Sequence, residues 1–408
     1  MATRLKLRMP PLDMRLLGAA LALVAIGLST VFSATSVPGA HEGLWIKQFL
    51  WFLMAFAVGW VAVAIPFRAY DSLAYPFYVV SLALLILVLA IGTSAYGARR
   101  WIEFGPLKFQ PSELAKIATV LVLARCFDDP KLDLRKVRYW LPPMLLTLVP
   151  FLLVAKEPDL GTALAFPVIL VAMYFWAGMP GSTLALGLSP ALNVALFFFT
   201  RSPWWFAGVL AAMLVGFRPR WRTLIVVLLL NGAVGYATPH LWDRLHDYQK
   251  RRIETFLNPG QDPYGSGYQI IQSKIAIGSG GVVGKGYLRG TQKALAFLPM
   301  RHTDFIFSVI GEEWGLFGAL TVVILYGIVI LRGFRLALVA RSVFASTMAV
   351  GLVSALFYHV LVNVLMTIGW APVTGLPLPL ISYGGTALIV GGLQIGLLEN
   401  VAVRRQEF

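Results

Sequence analysis

The sequence is poor in cysteine and in charge. Its 408 residues include one cysteine, Cys126, which excludes an internal disulfide and any site built from several thiolates. Only 13% of the residues are charged, whereas 58% are hydrophobic, and the mean hydropathy is +0.75. Soluble globular domains carry about 25% charged residues, so the chain does not belong to that class. Several segments approach the roughly 20 apolar residues that cross a bilayer.

Acids are scarcer than bases, with 19 Asp and Glu against 34 Lys and Arg, for a net charge of +15. In a membrane protein such basic loops usually set orientation or meet anionic lipid, so we expect no nucleic-acid partner. The sequence has no His, Cys, Asp or Glu cluster with zinc-type spacing and no glycine-rich phosphate loop. We therefore expect no nucleotide cofactor and no structural metal.

The apolar pattern predicts an all-α polytopic membrane protein with about 10–12 transmembrane helices and a large extracytoplasmic loop. We interpret residues 1–408 as a single transmembrane domain and 241–302 as the loop within it. The first helix starts near Leu16 and is expected to be retained, because no convincing cleavage site follows. Further spans are expected near 45–66, 75–93, 111–126, 140–156, 160–178, 184–199, 204–217, 222–239, 303–332, 342–368 and 380–402.

The distribution of Lys and Arg predicts the orientation. Outside the long loop, most bases fall in segments that this set of spans places on the same side as the N-terminus. The positive-inside rule then puts the N-terminus in the cytoplasm and the 241–302 loop outside. This predicts a multi-pass membrane protein whose N-terminus is cytoplasmic and whose long loop faces outward.

The 241–302 loop carries nine Lys and Arg residues against four acids. Beside a membrane, that balance suits an anionic lipid headgroup such as a diphosphate, although a solvated basic loop would show the same charge. Within the loop, Tyr268, Ile271 and Ile275 are spaced as one face of a short helix. We expect that helix to lie in the interface with its apolar face towards the lipid.

Asp262 lies in QDPYGSG, far in sequence from other acids of the loop. Pro263 stiffens the backbone there, and the glycines allow another group to approach closely. Partial dehydration would raise the pKa of this carboxyl towards the range of a general base. The alternative is that Asp-Pro only initiates a turn.

Two other charged groups interrupt apolar segments. Glu113 and Lys116 are three residues apart on one predicted helix, so we expect them to pair and to face an internal cavity, either as structure or as substrate contacts. Asp159 precedes the helix that begins at Leu160, and capping that helix would alone explain it. Glu312, Glu313 and Glu399 are expected to reach interface water or a neighbouring base.

Five segments together resemble the SEDS family (shape, elongation, division and sporulation), and its RodA-like members more than its FtsW-like members. They occur in the family's order and cover most of the chain. They are GARRWIEFGPLKFQPSELAK at 97–116, EPDLGTA at 157–163, FLNPGQDPYGSGYQIIQSKIAIGSGGVVGKGYLRGTQ at 256–292, LPMRHTDFIFSVIGEEWGLFG at 298–318 and PVTGLPLPLISYGGTALI at 372–389.

The resemblance implies a peptidoglycan glycosyltransferase that polymerises lipid II during cell elongation and releases undecaprenyl diphosphate. It implies a location in the bacterial cytoplasmic (inner) membrane, with the active site facing outward. It implies that Asp262 is the essential loop aspartate and catalytic base. It further implies that a group of residues lines the substrate cavity: Lys47, Arg100, Glu113, Lys116, Asp159, Lys274 and Ser382. A divalent cation such as Mg or Mn, held by Asp262 and the diphosphate, is compatible with this chemistry.

The resemblance also implies partners, because the chain carries no transpeptidase domain. We expect a class B penicillin-binding protein and other membrane proteins of the elongation complex, together with lipid II and undecaprenyl lipids. Two departures stand out. Met300 replaces the family's usual glutamate before HTDF, and 184–217 adds a hairpin to the usual ten spans.

Other functions fit much of the same composition. A lipid-linked precursor flippase would use Glu113, Lys116 and Asp159 to line a translocation route, since intramembrane charges also mark pathways. A non-catalytic scaffold for a transpeptidase would tolerate Asp262→Asn. Another lipid-linked sugar polymerase or ligase would share the chemistry and differ in substrate.

Overall fold

The computed structural model describes residues 12–36, 43–95, 98–105, 107–200, 203–244, 247–257, 267–291 and 300–404, and they are mostly helical. The helices are α1 Met14–Thr35, α2 Leu44–Ala64, α3 Phe67–Ile91, α4 Pro111–Phe127, α5 Leu141–Lys156, α6 Leu160–Ala163, α7 Ala165–Trp176, α8 Gly181–Thr200, α9 Pro203–Phe217, α10 Trp221–Arg244, α11 Asp247–Leu257, α12 Tyr268–Gly280, α13 Ile306–Val339, α14 Val343–Thr367 and α15 Gly385–Arg404.

The protein is a multi-pass helical membrane protein, and a helix occupies every predicted span. Eight helices in the described residues are long and apolar enough to cross a bilayer. Leu160–Trp176, Gly181–Leu196 and Phe206–Phe217 are shorter apolar helices, and α4 has 17 residues. Fewer than twelve of the described helices are therefore long enough to span a bilayer by themselves. One reason is that the predicted 160–178 span is divided into α6 and α7.

A small antiparallel sheet, which the sequence analysis did not predict, lies between α3 and α4. Its strands are β1 Thr93–Ala95, β2 Ala98–Phe104 and β3 Leu107–Phe109, in the order β1-β2-β3. Two of the three strands have only three residues, which is too short for a reliable alternation pattern, so no sequence signal predicted a sheet. The sheet carries Arg100 to the end of the bundle.

Helices α14 and α15 form the core, and α15 packs closely on α2 through small residues. A Cβ added at Gly59 would lie 2.8 Å from the Gly392 carbonyl oxygen. Added Cβ atoms at Gly392 and Gly396 would collide with the backbone of Ala55 and Gly59. Small residues four apart allow this approach in membrane helices, where van der Waals packing replaces the hydrophobic effect.

The bundle has two polar ends. At the end that we call the terminal end, Arg332 Nε donates to Asp13 Oδ2 at 2.9 Å, and the Asp13 amide donates to Glu399 Oε2 at 2.8 Å. Asp13 also caps α1 by accepting from the Leu16 amide. Asn400 donates to the carbonyl oxygens of Ala62, Val63 and Ile65, which close the C-terminus of α2. Polar groups there tie helix ends together.

The opposite end, which we call the loop end, gathers the starts of α2, α4 and α15. Gln48 Nε2 donates to the Ser382 carbonyl oxygen at 3.0 Å, and the Gln110 amide donates to Thr386 Oγ1 at 3.3 Å. The Tyr383 amide donates to the His302 carbonyl oxygen. The end of the 241–302 loop therefore borders this end of the bundle.

Helix α13 is kinked at Gly315, where φ is +65°, and the segment after α12 docks onto the kink. The Leu316 amide donates to the Gly281 carbonyl oxygen at 3.0 Å. Glu312 accepts from Lys285 Nζ at 2.8 Å, which confirms the expected neighbouring base, while Glu313 accepts from Ser33 Oγ at 2.6 Å. Glycine is needed at this kink because other residues rarely adopt positive φ.

Helix α12 is present, as predicted, and Gly281 with φ +58° follows it. The residues predicted to face the lipid are not buried: Tyr268 and Ile271 are half-buried and Ile275 is exposed. The opposite side of the helix, with Ile270, Ser273 and Ala276, is buried against the protein. Ser273 Oγ donates to the Thr367 carbonyl oxygen at 2.6 Å. A buried polar anchor of this kind cannot be recognised from apolar spacing.

The predicted extra hairpin consists of α8 and α9. Helix α8 lies between α7 and α10, and α9 packs on α8. Asn231 Nδ2 on α10 donates to Ser189 Oγ on α8 at 2.7 Å, and both residues are buried. A polar contact between apolar helices fixes their register, so the hairpin braces α10.

Candidate functional site

Asp159 lies at the loop end, in the turn between α5 and α6. It is 3% exposed, and its Oδ1 accepts from the Thr162 amide at 3.2 Å, which confirms the predicted cap. Its Oδ2 accepts from Thr162 Oγ1 at 2.9 Å and from Gln110 Nε2 at 3.3 Å. This carboxylate is thus held rigidly and does more than cap the helix.

Arg100 comes from β2 and covers the same turn. Its Nε lies 3.7 Å from Asp159 Oδ2 and donates to the Glu157 carbonyl oxygen at 3.4 Å, and its Nη2 donates to the Pro158 carbonyl oxygen. The structure therefore brings Arg100 and Asp159 together. A guanidinium has five N–H donors, and the two carbonyls use two of them. Arg100 therefore keeps donors for an anionic group.

Glu157 is the most unusual group of the turn. Its side chain is 0% exposed, and neither carboxyl oxygen has a hydrogen-bond partner in the described part of the chain. Burial raises the pKa of Glu157 to about 9, the nearby Asp159 carboxylate raises it as well, and Arg100 lowers it. At neutral pH this side chain is a neutral acid with a proton to give.

The segment from Thr374 to Leu376 is a meeting point at the loop end. Arg252 of α11 donates from Nη1 to the Thr374 carbonyl oxygen at 3.3 Å. Asn363 of α14 donates from Nδ2 to the carbonyl oxygens of Leu376, at 2.7 Å, and Asp304, at 2.9 Å. One short segment thus joins the long loop, the core and the start of α13.

Ser382 is buried, and its hydroxyl is used by the backbone. Its Oγ donates to the Thr303 carbonyl oxygen at 2.6 Å and accepts from the Leu378 amide at 2.8 Å. This geometry shows Ser382 joining the 300–305 and 372–384 segments. A substrate contact by this hydroxyl remains a prediction.

Glu113 and Lys116 form the ion pair that their spacing predicts, with Lys116 Nζ 2.8 Å from Glu113 Oε1 and both side chains buried. Lys116 also contacts His359 of α14. Gln394 borders the same cavity, whose volume of about 20 Å³ has room for a water molecule but not for a sugar. The role of the pair in binding substrate stays a prediction.

Lys47 and Lys274 are not joined to these groups by any contact that we find in the described residues. Lys47 is exposed on the first turn of α2, and Lys274 is exposed on α12. The Lys274 stem lies over Gly369, where an added Cβ would be 2.7 Å from its Nζ. Both ammonium groups are accessible to an anionic ligand at the loop end.

Asp262 and its QDPYG neighbours lie outside the described residues. The role of Asp262 as base therefore stays a prediction, as does the divalent cation assigned to it. Among the residues that the structure describes, no group of three or more His, Cys, Asp or Glu side chains could hold a metal ion.

Sequence reasoning gave no role to four residues that the structure makes prominent: Glu157, Arg252, Asp304 and His359. His359 was detectable in principle, because an ionisable residue inside an apolar span is a functional hypothesis by default. The other three gain their importance from contacts between distant parts of the chain.

Known proteins match this chain over nearly its whole length and not only at one motif. The family described as cell cycle protein, FtsW/RodA/SpoVE, matches residues 12–206 and 200–407. The peptidoglycan glycosyltransferase MrdB of Escherichia coli K12 is 38% identical over 400 residues, which cover 97% of this chain and 94% of that protein. The probable peptidoglycan glycosyltransferase FtsW of Geobacter metallireducens is 36% identical over 405 residues, covering 96% and 95%.

Solved structures agree with these relatives. A chain of a peptidoglycan synthase complex that coordinates polymerization and crosslinking aligns with a TM-score of 0.74 at 32% identity, covering 97% of this chain and 99% of that one. The rod shape determining protein RodA of Thermus thermophilus aligns with a TM-score of 0.65 at 29% identity, covering 97% and 98%.

Proposed function

This chain belongs to the cell cycle protein family FtsW/RodA/SpoVE, and from that premise we propose that it polymerises lipid II into glycan strands during cell elongation. It is a peptidoglycan glycosyltransferase. The observation that carries this conclusion is 38% identity to a peptidoglycan glycosyltransferase across 97% of the chain. The polar cluster at the loop end supports the placement of the reaction there.

In the proposed reaction, the 4-hydroxyl of an acceptor GlcNAc attacks the anomeric carbon of a donor MurNAc. Asp262 takes the hydroxyl proton, the bond from that carbon to the diphosphate oxygen breaks, and undecaprenyl diphosphate leaves with inversion. Arg100 is placed to stabilise charge on the leaving diphosphate, because its guanidinium is partly buried and lies at the loop end.

The neutral carboxyl of Glu157 fits the same scheme. A second carboxylate beside Asp159 would oppose the binding of a diphosphate, whereas a protonated Glu157 keeps the turn less negative. Asp159 then remains free to hold Arg100. With Glu157 protonated, the charges of Arg100 and Asp159 cancel, so the three residues carry no net charge and oppose an anionic headgroup less than they would with Glu157 ionised.

We further propose that the chain lies in the bacterial cytoplasmic membrane with the loop end outward. The distribution of Lys and Arg supports this orientation. A class B penicillin-binding protein is the proposed partner. The likeness to a chain of a synthase complex that coordinates polymerization and crosslinking supports it.

The test is polymerisation of labelled lipid II by the purified protein with its transpeptidase partner. Wild type, Asp262→Asn and a control, Glu254→Gln, are compared at matched thermal stability. Glu254 is an exposed carboxylate on α11 of the same loop, which makes its variant a matched control. We expect glycan ladders from wild type and control and none from Asp262→Asn.

Other outcomes would favour the rival functions. Equal ladders from wild type and Asp262→Asn would remove Asp262 from the mechanism. No product from any form, while a control polymerase works in the same detergent, would favour a flippase or a scaffold.

A further inference from the structure

Helix α11 touches the loop end through the charged side chain of Arg252. Arg252 is partly buried, and its Nη1 donates to the Thr374 carbonyl oxygen at 3.3 Å. Its helix is short and polar, with Glu254 exposed on it. The polar contact of Arg252 with Thr374 therefore helps to fix the position of α11 at the loop end.

Asp304 approaches Gly375, the residue after Thr374. Its Oδ2 lies 3.4 Å from the point that a Cβ would occupy at Gly375, whose φ is +75°. Glycine is required there by its backbone angle, and the missing side chain leaves the carboxylate in direct contact with the segment. Because Asn363 holds the Asp304 carbonyl oxygen, the backbone of Asp304 is fixed.

The charged groups that act on Asp304 come from three elements. Arg252 belongs to α11, Arg100 to β2 and Asp159 to the turn before α6. Burial raises the pKa of Asp304 to about 6, Asp159 adds to the rise, and the two arginines and a hydrogen bond with Thr303 oppose it. Asp304 is therefore ionised at pH 8 and mostly protonated at pH 5.

The remaining ionisable groups on the 300–305 segment are engaged elsewhere. Arg301 Nε donates to the Ala34 carbonyl oxygen at 2.8 Å, and the His302 ring lies edge-on to Tyr383 with 5.8 Å between centroids. Arg252 is the residue of the long loop whose positive charge acts on Asp304 in the described part of the chain, and both residues approach the Thr374–Leu376 segment.

We propose that Arg252 and Asp304 are positioning residues that latch helix α11 onto the Thr374–Leu376 segment, and that the latch holds while Asp304 is ionised and loosens when it is protonated. The inference rests on the proposed function in one respect, because the latch matters for catalysis only if Asp262 is the catalytic base. Asp262 follows Leu257, the last residue of α11, by five positions. A chain of that length spans at most about 18 Å, so holding α11 limits how far Asp262 can move.

A distance measurement tests the latch without any enzyme assay. Spin labels are attached to cysteines placed at Arg251, exposed on α11, and at Trp370, which is 75% exposed beyond α14, in a Cys126→Ser background. In the full chain we expect a narrow distance distribution at pH 8 and a broad one at pH 5. A wild-type distribution that does not change with pH would overturn the proposal.

Variants separate charge from fold in the same measurement. Asp304→Asn is expected to be broad at both pH values, and Glu254→Gln to match the unaltered chain. If Asp304→Asn fails to fold, Arg252 decides instead: Arg252→Gln should be broad at pH 8, and Arg252→Lys, which keeps the charge, narrower. An Arg252→Gln distribution identical to wild type at pH 8 would refute the latch.

The catalytic consequence is measured separately. At pH 8, Asp304→Asn is expected to polymerise lipid II at least about tenfold more slowly than wild type. Between pH 7 and 5 the rate of wild type should fall more steeply than the rate of Asp304→Asn, because the variant has no carboxylate to protonate at this position. If wild type makes no polymer, the proposed function fails while the spin-label result still decides the latch. If wild type is active and Asp304→Asn changes neither the distance distribution nor the polymerisation rate, only the proposed latch is refuted.

Discussion

The two ends of the bundle use their charged groups differently. At the terminal end, Asp13 has both oxygens engaged by Arg332 and by the amides that begin α1. At the loop end, Glu157 is fully buried, and neither of its oxygens has a partner among the residues that the structure describes. Most charge at the terminal end joins helices, although one Glu399 oxygen is buried there without a partner in the described part of the chain, whereas at the loop end a whole carboxyl group, that of Glu157, lacks one. The difference teaches where to expect chemistry in an otherwise apolar protein.

Asp13→Ala should lower the stability of the protein more than substitution of Glu157, Arg100 or Asp159. It removes the cap of α1 and leaves Arg332 without its carboxylate, and the free energy of unfolding is expected to fall by about 3 kcal/mol. Asp13→Asn keeps the cap and serves as the control, so the difference between the two variants isolates the cap. Unfolding in detergent measures both. Equal stability of Asp13→Ala and wild type would contradict the structural role given to the terminal end.

Glu157→Gln should stabilise the protein, and more so at higher pH. The folded pKa of about 9 exceeds the ordinary 4.5, so the folded state keeps a proton that the unfolded chain has lost. Stability of wild type therefore falls as pH rises from about 4.5 to about 9, by up to about 1.4 kcal/mol per pH unit. Gln cannot ionise and removes that slope. Parallel stability curves for the two proteins between pH 6 and 8 would show that Glu157 is ionised or partnered.

Arg100→Gln should have a moderate effect on stability. The change removes two hydrogen bonds to the carbonyls of Glu157 and Pro158, and we expect a loss of about 1–2 kcal/mol. It also takes a cation from Asp159, so lipid II polymerisation should fall further than stability explains. Arg125→Gln, at an exposed arginine that pairs with Asp71, is the control and should leave polymerisation unchanged. Loss of activity in both variants would argue against a special role for Arg100.

Asp159→Asn should change stability least. Asn caps a helix about as well as Asp, so we expect a change below about 0.5 kcal/mol. Asp159→Ala loses the cap and should cost about 1 kcal/mol. Thermal unfolding of the two variants separates the cap from the charge, and a large loss of stability in Asp159→Asn would show that its charge holds the turn together.

The sequence predicted features that depend on neighbours along the chain. The helix positions followed from apolar runs, the Asp159 cap from its place before Leu160, and the Glu113–Lys116 pair from a spacing of three residues. Each of these is settled within one or two helical turns. Family membership likewise followed from motifs that are continuous in sequence.

The remaining features depend on contacts between distant residues. His359 meets Lys116 across 243 positions, and Arg252 meets Thr374 across 122. The isolation of Glu157 is a property of everything packed around it and has no local signal at all. The buried face of α12 was missed because Ser273, a polar residue, supplies one of its anchors. Such features need a structure because no periodicity encodes them.

The most direct test of the account neutralises one carboxylate at each end without changing its shape. Asp159→Asn and Asp13→Asn are purified with the transpeptidase partner, and labelled lipid II polymerisation is measured at a temperature where both remain folded. If the loop end carries the chemistry, Asp159→Asn loses most of its polymerising activity and Asp13→Asn keeps a rate close to wild type. Full activity in Asp159→Asn, together with loss of activity in Asp13→Asn, would contradict the account.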